Sequence, residues 1–304
     1  MTNITLRQLR FVDALARFRH FGQAAEACSV TQPALSMQIK ALEDGLGAKL
    51  FERGARQVRL TGLGEEIAAR ARDILRAVGE LEDVARTRRD GPGGRLRLGV
   101  IPTIAPYLLP RLIRDLGARY PGVDLQLRET QTERLIAELR DGRLDTALVA
   151  LPVSEPGLTE VALFSEGFVL VRPEAEAGRP VPAPAALPDM QLLLLEEGHC
   201  FRDQALEVCG LRTGARHAGL DGSSLSTLVQ MVGAGLGVTL IPEMAVGVET
   251  RGASVAVQRF ETTRPARTVG MIWRSTSALA AELHDLAEVV RQSAEAMYDA
   301  ARLG

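Results

Sequence analysis

The stretch Gln23-Ala24-Ala25-Glu26-Ala27-Cys28-Ser29-Val30-Thr31-Gln32-Pro33-Ala34-Leu35-Ser36 reads as two helices meeting at a tight turn. The alanine-rich half favours a short helix, and Ser29-Val30 turns the chain. Thr31 can cap the next helix, with Pro33 in its first turn, where a missing N–H costs nothing. That second helix runs from Pro33 to about Gly45 and exposes Gln32, Ser36, Gln38 and Lys40. The pattern is a helix-turn-helix whose polar N-terminal end is free to reach base edges. Cys28 is expected to be buried between the helices.

Upstream, Leu6, Leu9, Val12, Leu15 and Ala16 trace the apolar stripe of another helix that stops near Gly22. Downstream, Lys49 to Thr61 resembles a two-stranded wing, with Arg53, Arg56 and Arg59 placed to lie along phosphates. Residues 1–60 carry nine basic and five acidic side chains, a net charge of +4, whereas the whole chain carries −2 and the remainder therefore −6. A basic module on an acidic body points to nucleic acid as a partner.

From Thr61 the chain is helical again, and Ile67, Ala71, Ile74, Val78, Leu81 and Ala85 recur at spacings of 4 and 3. Such a seam predicts a dimerisation helix. Asp90-Gly-Pro-Gly-Gly94 breaks it and supplies a linker. Beyond it, strand-like Leu96–Ile101, Val123–Glu129 and Thr146–Leu151 alternate with helical runs over 107–119 and 132–141. This is βαβαβ, hence a parallel sheet with helices on its faces. A second such unit is expected from Gln191–Leu195 through Val255–Phe260, with Thr268–Arg274 and a final helix from Ser277 to about Arg302 returning to the first. Two α/β lobes crossed twice by the chain make a hinged pair with a cleft between them. The expected boundaries are 1–60 for the DNA-binding module, 61–90 for the linker helix, 91–94 for the hinge and 95–304 for the two-lobed remainder. Lobe I covers about 95–164 and 268–304, and lobe II about 165–267. The proline-rich stretch Arg172–Pro188 reads as a surface loop.

The 304 residues are 46% hydrophobic and contain three cysteines. With no long apolar run the chain is expected to be cytoplasmic and away from membranes, and three thiols do not make a secreted disulfide framework. Two of them lie in Gly198-His199-Cys200-Phe201-Arg202-Asp203-Gln204-Ala205-Leu206-Glu207-Val208-Cys209. If residues 201–208 are helical, nine residues separate the two sulfurs by ~13 Å along the axis, beyond the ~7 Å Cα limit for a disulfide. Bridging them would unravel that helix, which makes the pair a candidate conformational switch. Two unrelated apolar thiols are the alternative.

Ala24-Ala25, Thr31-Gln-Pro-Ala-Leu-Ser36, Ile39, Leu42-Glu43, Leu46-Gly47, Leu50-Phe51-Glu52-Arg53 and Leu60-Thr61 together resemble the LysR-type transcriptional regulators, and the likeness extends over the whole chain. Gly99-Val-Ile-Pro-Thr103, Pro106-Tyr-Leu-Leu-Pro110, Gln131-Thr132 and Glu197 to Ala205 with Cys209 resemble the peroxide-sensing branch of that family. The resemblance implies an α/β fold: an N-terminal winged helix-turn-helix, a linker helix, and a two-lobed regulatory domain like the periplasmic binding proteins. It implies DNA contacts from Thr31, Gln32, Pro33, Ser36, Gln38, Lys40 and Arg53. Cys200 would be the peroxide-reacting thiol and Cys209 the resolving one, with Thr103, Thr132, His199, Asp203 and Arg267 around the peroxide. The implied partners are promoter DNA, RNA polymerase, a second or further copies in a homodimer or homotetramer, hydrogen peroxide as signal, and a thiol reductant such as glutaredoxin or thioredoxin.

The chemistry follows from the residue types. A thiolate is the reactive form, and Arg267, the helix N-terminus at Cys200 and a protonated His199 would favour it. Asp203, one helical turn on, could relay the proton that the leaving hydroxide needs. The sulfenic acid so formed condenses with a second thiol. A LysR-type regulator answering to a small metabolite in the cleft, and a thiol peroxidase or disulfide oxidoreductase, are the competing readings. No cofactor or metal is expected: Gly233-Ala-Gly235-Leu-Gly237 follows a helix rather than a strand, so it reads as a helix C-cap and tight turn. Cys200, Cys209 and His199 lack zinc spacing. Leu220-Asp221 departs from the pattern of the branch, and His217 is expected at the surface or in packing.

Overall fold

The computed structural model describes residues 4–53, 58–90, 94–210, 220–260 and 264–303. Arg56, His217 and the linker residues 91–93 lie outside these, as do the side chains of Arg53 and Ala85. The chain forms two compact units, Met1–Ala85 and Arg86–Gly304.

In the first unit, helix α1 (Leu6–Phe18) opens with a capping box between Thr5 and Gln8 and buries Leu9, Val12 and Leu15. Helix α2 (Phe21–Ala27) is capped by His20, whose Nδ1 accepts from the N–H groups of Gly22 and Gln23. Helix α3 (Gln32–Leu46) starts after an extended Thr31 whose side chain makes no capping bond, and it ends at Gly47 with φ +67. Strands β1 (Phe51–Arg53) and β2 (Val58–Leu60) pair antiparallel, Phe51 opposite Leu60. Buried Glu43 fixes the turn between α3 and β1, accepting from the N–H groups of Leu50 and Phe51 and pairing with Lys49 at 2.8 Å. Helix α4 (Gly62–Asp90) follows. Its first turn carries Gly64, where a Cβ would stand 2.0 Å from the Leu50 carbonyl oxygen, so only glycine lets α4 seat there. Ala68 and Ala71 complete the core, whereas Ile74 and Leu81, seven residues apart, stand 46% and 70% exposed. Cys28 departs from expectation: it caps the end of α2 and is half-buried rather than enclosed.

In the second unit, β3 (Arg95–Val100), α5 (Ala105–Arg119), β4 (Asp124–Glu129), α6 (Thr132–Arg140) and β5 (Thr146–Leu151) form the expected parallel βαβαβ, β3 lying between β4 and β5. β6 (Leu158–Pro173) then runs for 16 residues. It is followed by β7 (Leu192–Leu195), α7 (Cys200–Val208), β8 (Asp221–Gly222), α8 (Leu225–Gly233), β9 (Val238–Pro242), α9 (Val246–Glu249), β10 (Val255–Arg259), β11 (Ala266–Arg274) and α10 (Ala280–Leu303). The strand order is β4-β3-β5-β11-β6-β9-β7-β8, with β10 also on β6. Residues 158–167 of β6 pair with β11 and residues 168–173 with β9 and β10, so one strand belongs to both halves.

The reading of Arg172–Pro188 as loop is therefore corrected at its start. Arg172 lies inside β6 opposite Ala256 and is fully buried, its Nη1 donating to the carbonyls of Glu176, Arg179 and Pro180. The glycine run behaves as expected, α8 ending at Gly233 and Gly235 turning at φ +81. No helix among the described residues is long and apolar enough to cross a membrane.

Candidate functional site

Helix α7 begins at Cys200 and ends at Val208, with Cys209 as its C-cap, so the two thiols stand at opposite ends of one helix. Gly198 precedes it at φ +92, and a Cβ there would meet the Gln131 side chain at 3.0 Å. The backbone requires glycine, and a Cβ there would also press on the end of the Gln131 side chain. Phe201, Ala205 and Leu206 bury the inner face of α7, and Phe201 meets Phe168 edge-on at a ring distance of 5.0 Å. Arg202, buried on the same helix, donates through Nη1 to the Leu195 carbonyl (2.6 Å) and to Asp221 (2.9 Å). Asp221, half of the unusual Leu220-Asp221 pair, thus ties α7 to the β7–β8 edge.

Cys200 opens into a small pocket with an empty volume of about 180 Å³, lined by Ile101, Pro102, Thr103, Gln131, Thr132, Gly198, His199 and Cys200. Arg267 lies behind Thr103. Its Nη1 donates to Thr103 Oγ1 (2.8 Å) and its Nη2 to the Thr103 carbonyl (2.9 Å). A hydroxyl that accepts from a guanidinium keeps its own proton to donate, so Thr103 is set to offer an O–H to whatever occupies the pocket. Thr132 Oγ1 is buried and closes no hydrogen bond of normal geometry, leaving its hydroxyl available to the pocket.

Burial pushes the Cys200 thiol above its usual range; the Thr132 hydroxyl, the Arg267 charge and the Phe201 N–H pull it back, and Asp203 adds to the rise. Burial likewise holds His199 below the ordinary histidine range, against the opposing charge of Glu196. Desolvation thus works against the protonated His199 expected beside Cys200. Cys209 is buried, and with burial as the sole cause its thiol is pushed up to about 11.

The structure brings Thr103, Thr132, His199 and Cys200 together. Arg267 reaches the pocket through Thr103, and Asp203 is exposed and does not line it. Glu166 was missed. It pairs with Arg267 at 2.8 Å, both side chains fully buried, and its position 101 residues away left no local signal. A wider, open depression of about 840 Å³ lies on another side of α7, lined in part by Gln204, Glu207, Val208 and Thr268.

On the first unit, Thr31, Gln32, Pro33 and Lys40 are exposed and Ser36 is half-buried. Gln32, Ser36 and Lys40 follow one another at i, i+4 and share a face of α3. Gln38 is half-buried and turned about 200° from Ser36 around the axis, away from that face.

Residues 6–65 match the profile of the bacterial regulatory helix-turn-helix proteins of the lysR family, and residues 89–295 match the LysR substrate binding domain. The chain belongs to the LysR family. This LysR-type protein is 46% identical over 299 residues to a probable hydrogen peroxide-inducible genes activator of Streptomyces viridosporus, covering 95% of this chain and 94% of that one. It is 38% identical to the DNA-binding transcriptional dual regulator OxyR of Escherichia coli K12, covering 97% and 98%. Among solved structures, a full-length OxyR variant from Pseudomonas aeruginosa superposes with a TM-score of 0.73 at 38% identity, covering 95% of each chain. A hydrogen-peroxide-bound OxyR variant from Corynebacterium glutamicum does so with a TM-score of 0.66 at 36% identity, covering 97% and 94%. The chain is thus a LysR-type DNA-binding regulator of the OxyR branch and not an enzyme, which sets aside the peroxidase reading.

Proposed function

We propose that this regulator responds to hydrogen peroxide through a Cys200–Cys209 disulfide. One observation carries the reading: Cys200 opens into a small pocket that Thr103 and Thr132 also line and that is too small for a typical metabolite site of roughly 300–1,000 Å³, and a second thiol stands at the other end of the same helix. The Cys200 thiolate attacks one peroxide oxygen and the O–O bond breaks. The departing hydroxide takes a proton and leaves as water, and the Cys200 sulfenic acid remains. The Cys209 sulfur then attacks the Cys200 sulfur, forming the S–S bond and releasing a second water. Thr103 and Thr132 hold the peroxide by their hydroxyls, and Arg267 fixes Thr103.

Promoter DNA is read by Gln32, Ser36 and Lys40 of α3, with Thr31, Pro33 and Arg53 as further contacts. The exposed Ile74 and Leu81 of α4 support pairing with a second copy into a homodimer or homotetramer. RNA polymerase as the downstream partner, resetting by glutaredoxin or thioredoxin, and a cytoplasmic location complete the reading. Peroxide titration with peptide mapping tests it. One equivalent of peroxide is expected to consume two thiols and join the Cys200 and Cys209 peptides, and the oxidised protein to leave a changed footprint on its operator. Retention of both thiols would instead favour a metabolite signal, for which the wider depression beside α7 is the available cavity.

A further inference from the structure

We infer that Glu166 sets the reactivity of Cys200 by holding and neutralising Arg267. The inference rests on the peroxide reading, but it concerns the acidity of a thiol and is measured without peroxide.

Glu166 on β6 and Arg267 on β11 are direct cross-strand partners, so the pair is built into the register of the sheet. Glu166 Oε2 accepts from Arg267 Nε at 2.9 Å and meets Nη2 at 2.8 Å. Its Oε1 accepts from the Met244 N–H at 2.9 Å. The rest of the guanidinium donates to Thr103 and lies over the Phe201 ring, 5.5 Å from its centroid. Glu166 holds Arg267 along its Nε and Nη2 edge, and the other two contacts belong to the sensing site: Thr103 lines the pocket and Phe201 adjoins Cys200.

The charges decide the effect. Inside a protein a lone guanidinium acts over several ångströms, whereas a guanidinium bonded to a carboxylate acts as a dipole whose field falls off faster. Arg267 favours the Cys200 thiolate. Burial is the largest cause of the raised Cys200 thiol, and Glu166, bonded to the guanidinium, lessens the help that Arg267 gives against it. The other groups around the pair do not substitute for it. Burial and the Glu166 charge both push the Tyr298 hydroxyl upward, and burial with Glu249 does the same for Tyr107, so both stay neutral. Asp203 opposes the thiolate, and burial works against a charge on His199. Glu243 touches the group only as a further negative charge near Tyr298.

The test uses the full chain with Cys28→Ser and Cys209→Ser, so that Cys200 is the sole thiol, and follows thiolate absorbance and iodoacetamide reaction against pH. In Glu166→Gln the midpoint is expected to fall by about one unit, giving roughly tenfold more thiolate near neutrality. Reaction with peroxide should speed up by less than that, because nucleophilicity falls with thiol basicity. Glu166→Asp keeps the charge, draws it back by one methylene, and should shift the midpoint the same way by less. It carries the test if the glutamine variant does not melt cooperatively. Adding Arg267→Met to Glu166→Gln should abolish the fall, which a merely loosened pocket would not. A midpoint unmoved or raised in a folded Glu166 variant overturns the inference, as does a fall that survives loss of Arg267. A wild-type Cys200 that ignores peroxide while the midpoint still shifts would instead count against the function.

Discussion

The two ends of α7 carry the same side chain in opposite surroundings. Cys200 faces a pocket with hydroxyls and a guanidinium behind it, whereas Cys209 is 3% exposed and feels only desolvation. The first can meet a small polar oxidant in the folded state; the second can meet nothing until the helix opens. In the proposed reaction burial sets the order, since a Cys209 thiol held protonated near neutral pH waits for the sulfenic acid and for the unwinding of the helix between them.

The strongest way to break this contrast is to remove each thiol in turn. Cys200→Ser should abolish reaction with stoichiometric peroxide, while Cys209→Ser should react once and stop at the sulfenic acid or beyond it. Intact-mass spectrometry separates the two outcomes, and equal reactivity would erase the difference between the ends.

A finer test loosens the helix without touching either sulfur. Asp221→Ala leaves the buried Arg202 without its carboxylate. With charged hydrogen bonds worth about 1.5–3 kcal/mol, conversion of sulfenic acid to disulfide should quicken by about tenfold, the first step staying unchanged. Rapid-mixing kinetics resolved into two phases would show it, and acceleration of the first phase alone would contradict the assigned order.

Hydrogen exchange reads the same opening directly. The amides of residues 201–208 should be protected in the reduced chain and lose that protection in the disulfide form, because a helix of nine residues keeps its ends too far apart for the bond. Equal protection in both states would mean that the bond, if it forms, acts elsewhere.

The smallest effect is expected from pH. Burial pushes the folded Cys209 thiol up to about 11, above the ordinary cysteine range, so the native state holds its proton where the unfolded state has lost it. Stability from this site is complete below pH about 9 and declines as pH rises toward 11. The melting temperature should fall across that window, and Cys209→Ser should flatten part of the fall.

The DNA-reading unit was legible because its signals are local. The alanine-rich helix, the turn at Ser29 and Pro33 in the first turn of α3 all lie within a few residues of what they determine. His20 could have been read as a cap from its place before an alanine-rich helix. In the sensing region, the residues of the Cys200 stretch, Thr103, Thr132 and Arg267 were visible through the family resemblance, but the pairings that tune them were not. Glu166 and Arg267 meet across 101 residues, and Arg202 and Asp221 across 19. Cross-strand register makes the first pair, and no periodicity announces it. β6 escaped notice because its cover changes along its length: its first half is partly exposed and its last residues buried on both faces, so neither simple alternation nor one continuous apolar run describes it.

That strand has a mechanical consequence. With residues 158–167 bonded to β11 and 168–173 to β9 and β10, the two halves of the regulatory unit are joined by a flexure and not by a pivot. A flexure has a rest position and a stiffness. Rotating one half against the other must twist one continuous strand whose hydrogen-bonded partners change between residues 167 and 168, and the deformation is elastic up to the point where rungs break. Whatever the unwound α7 does to the β7–β9 edge is therefore resisted by a spring whose middle carries Glu166, so the same sheet that sets the acidity of the trigger also sets the force that the trigger must overcome.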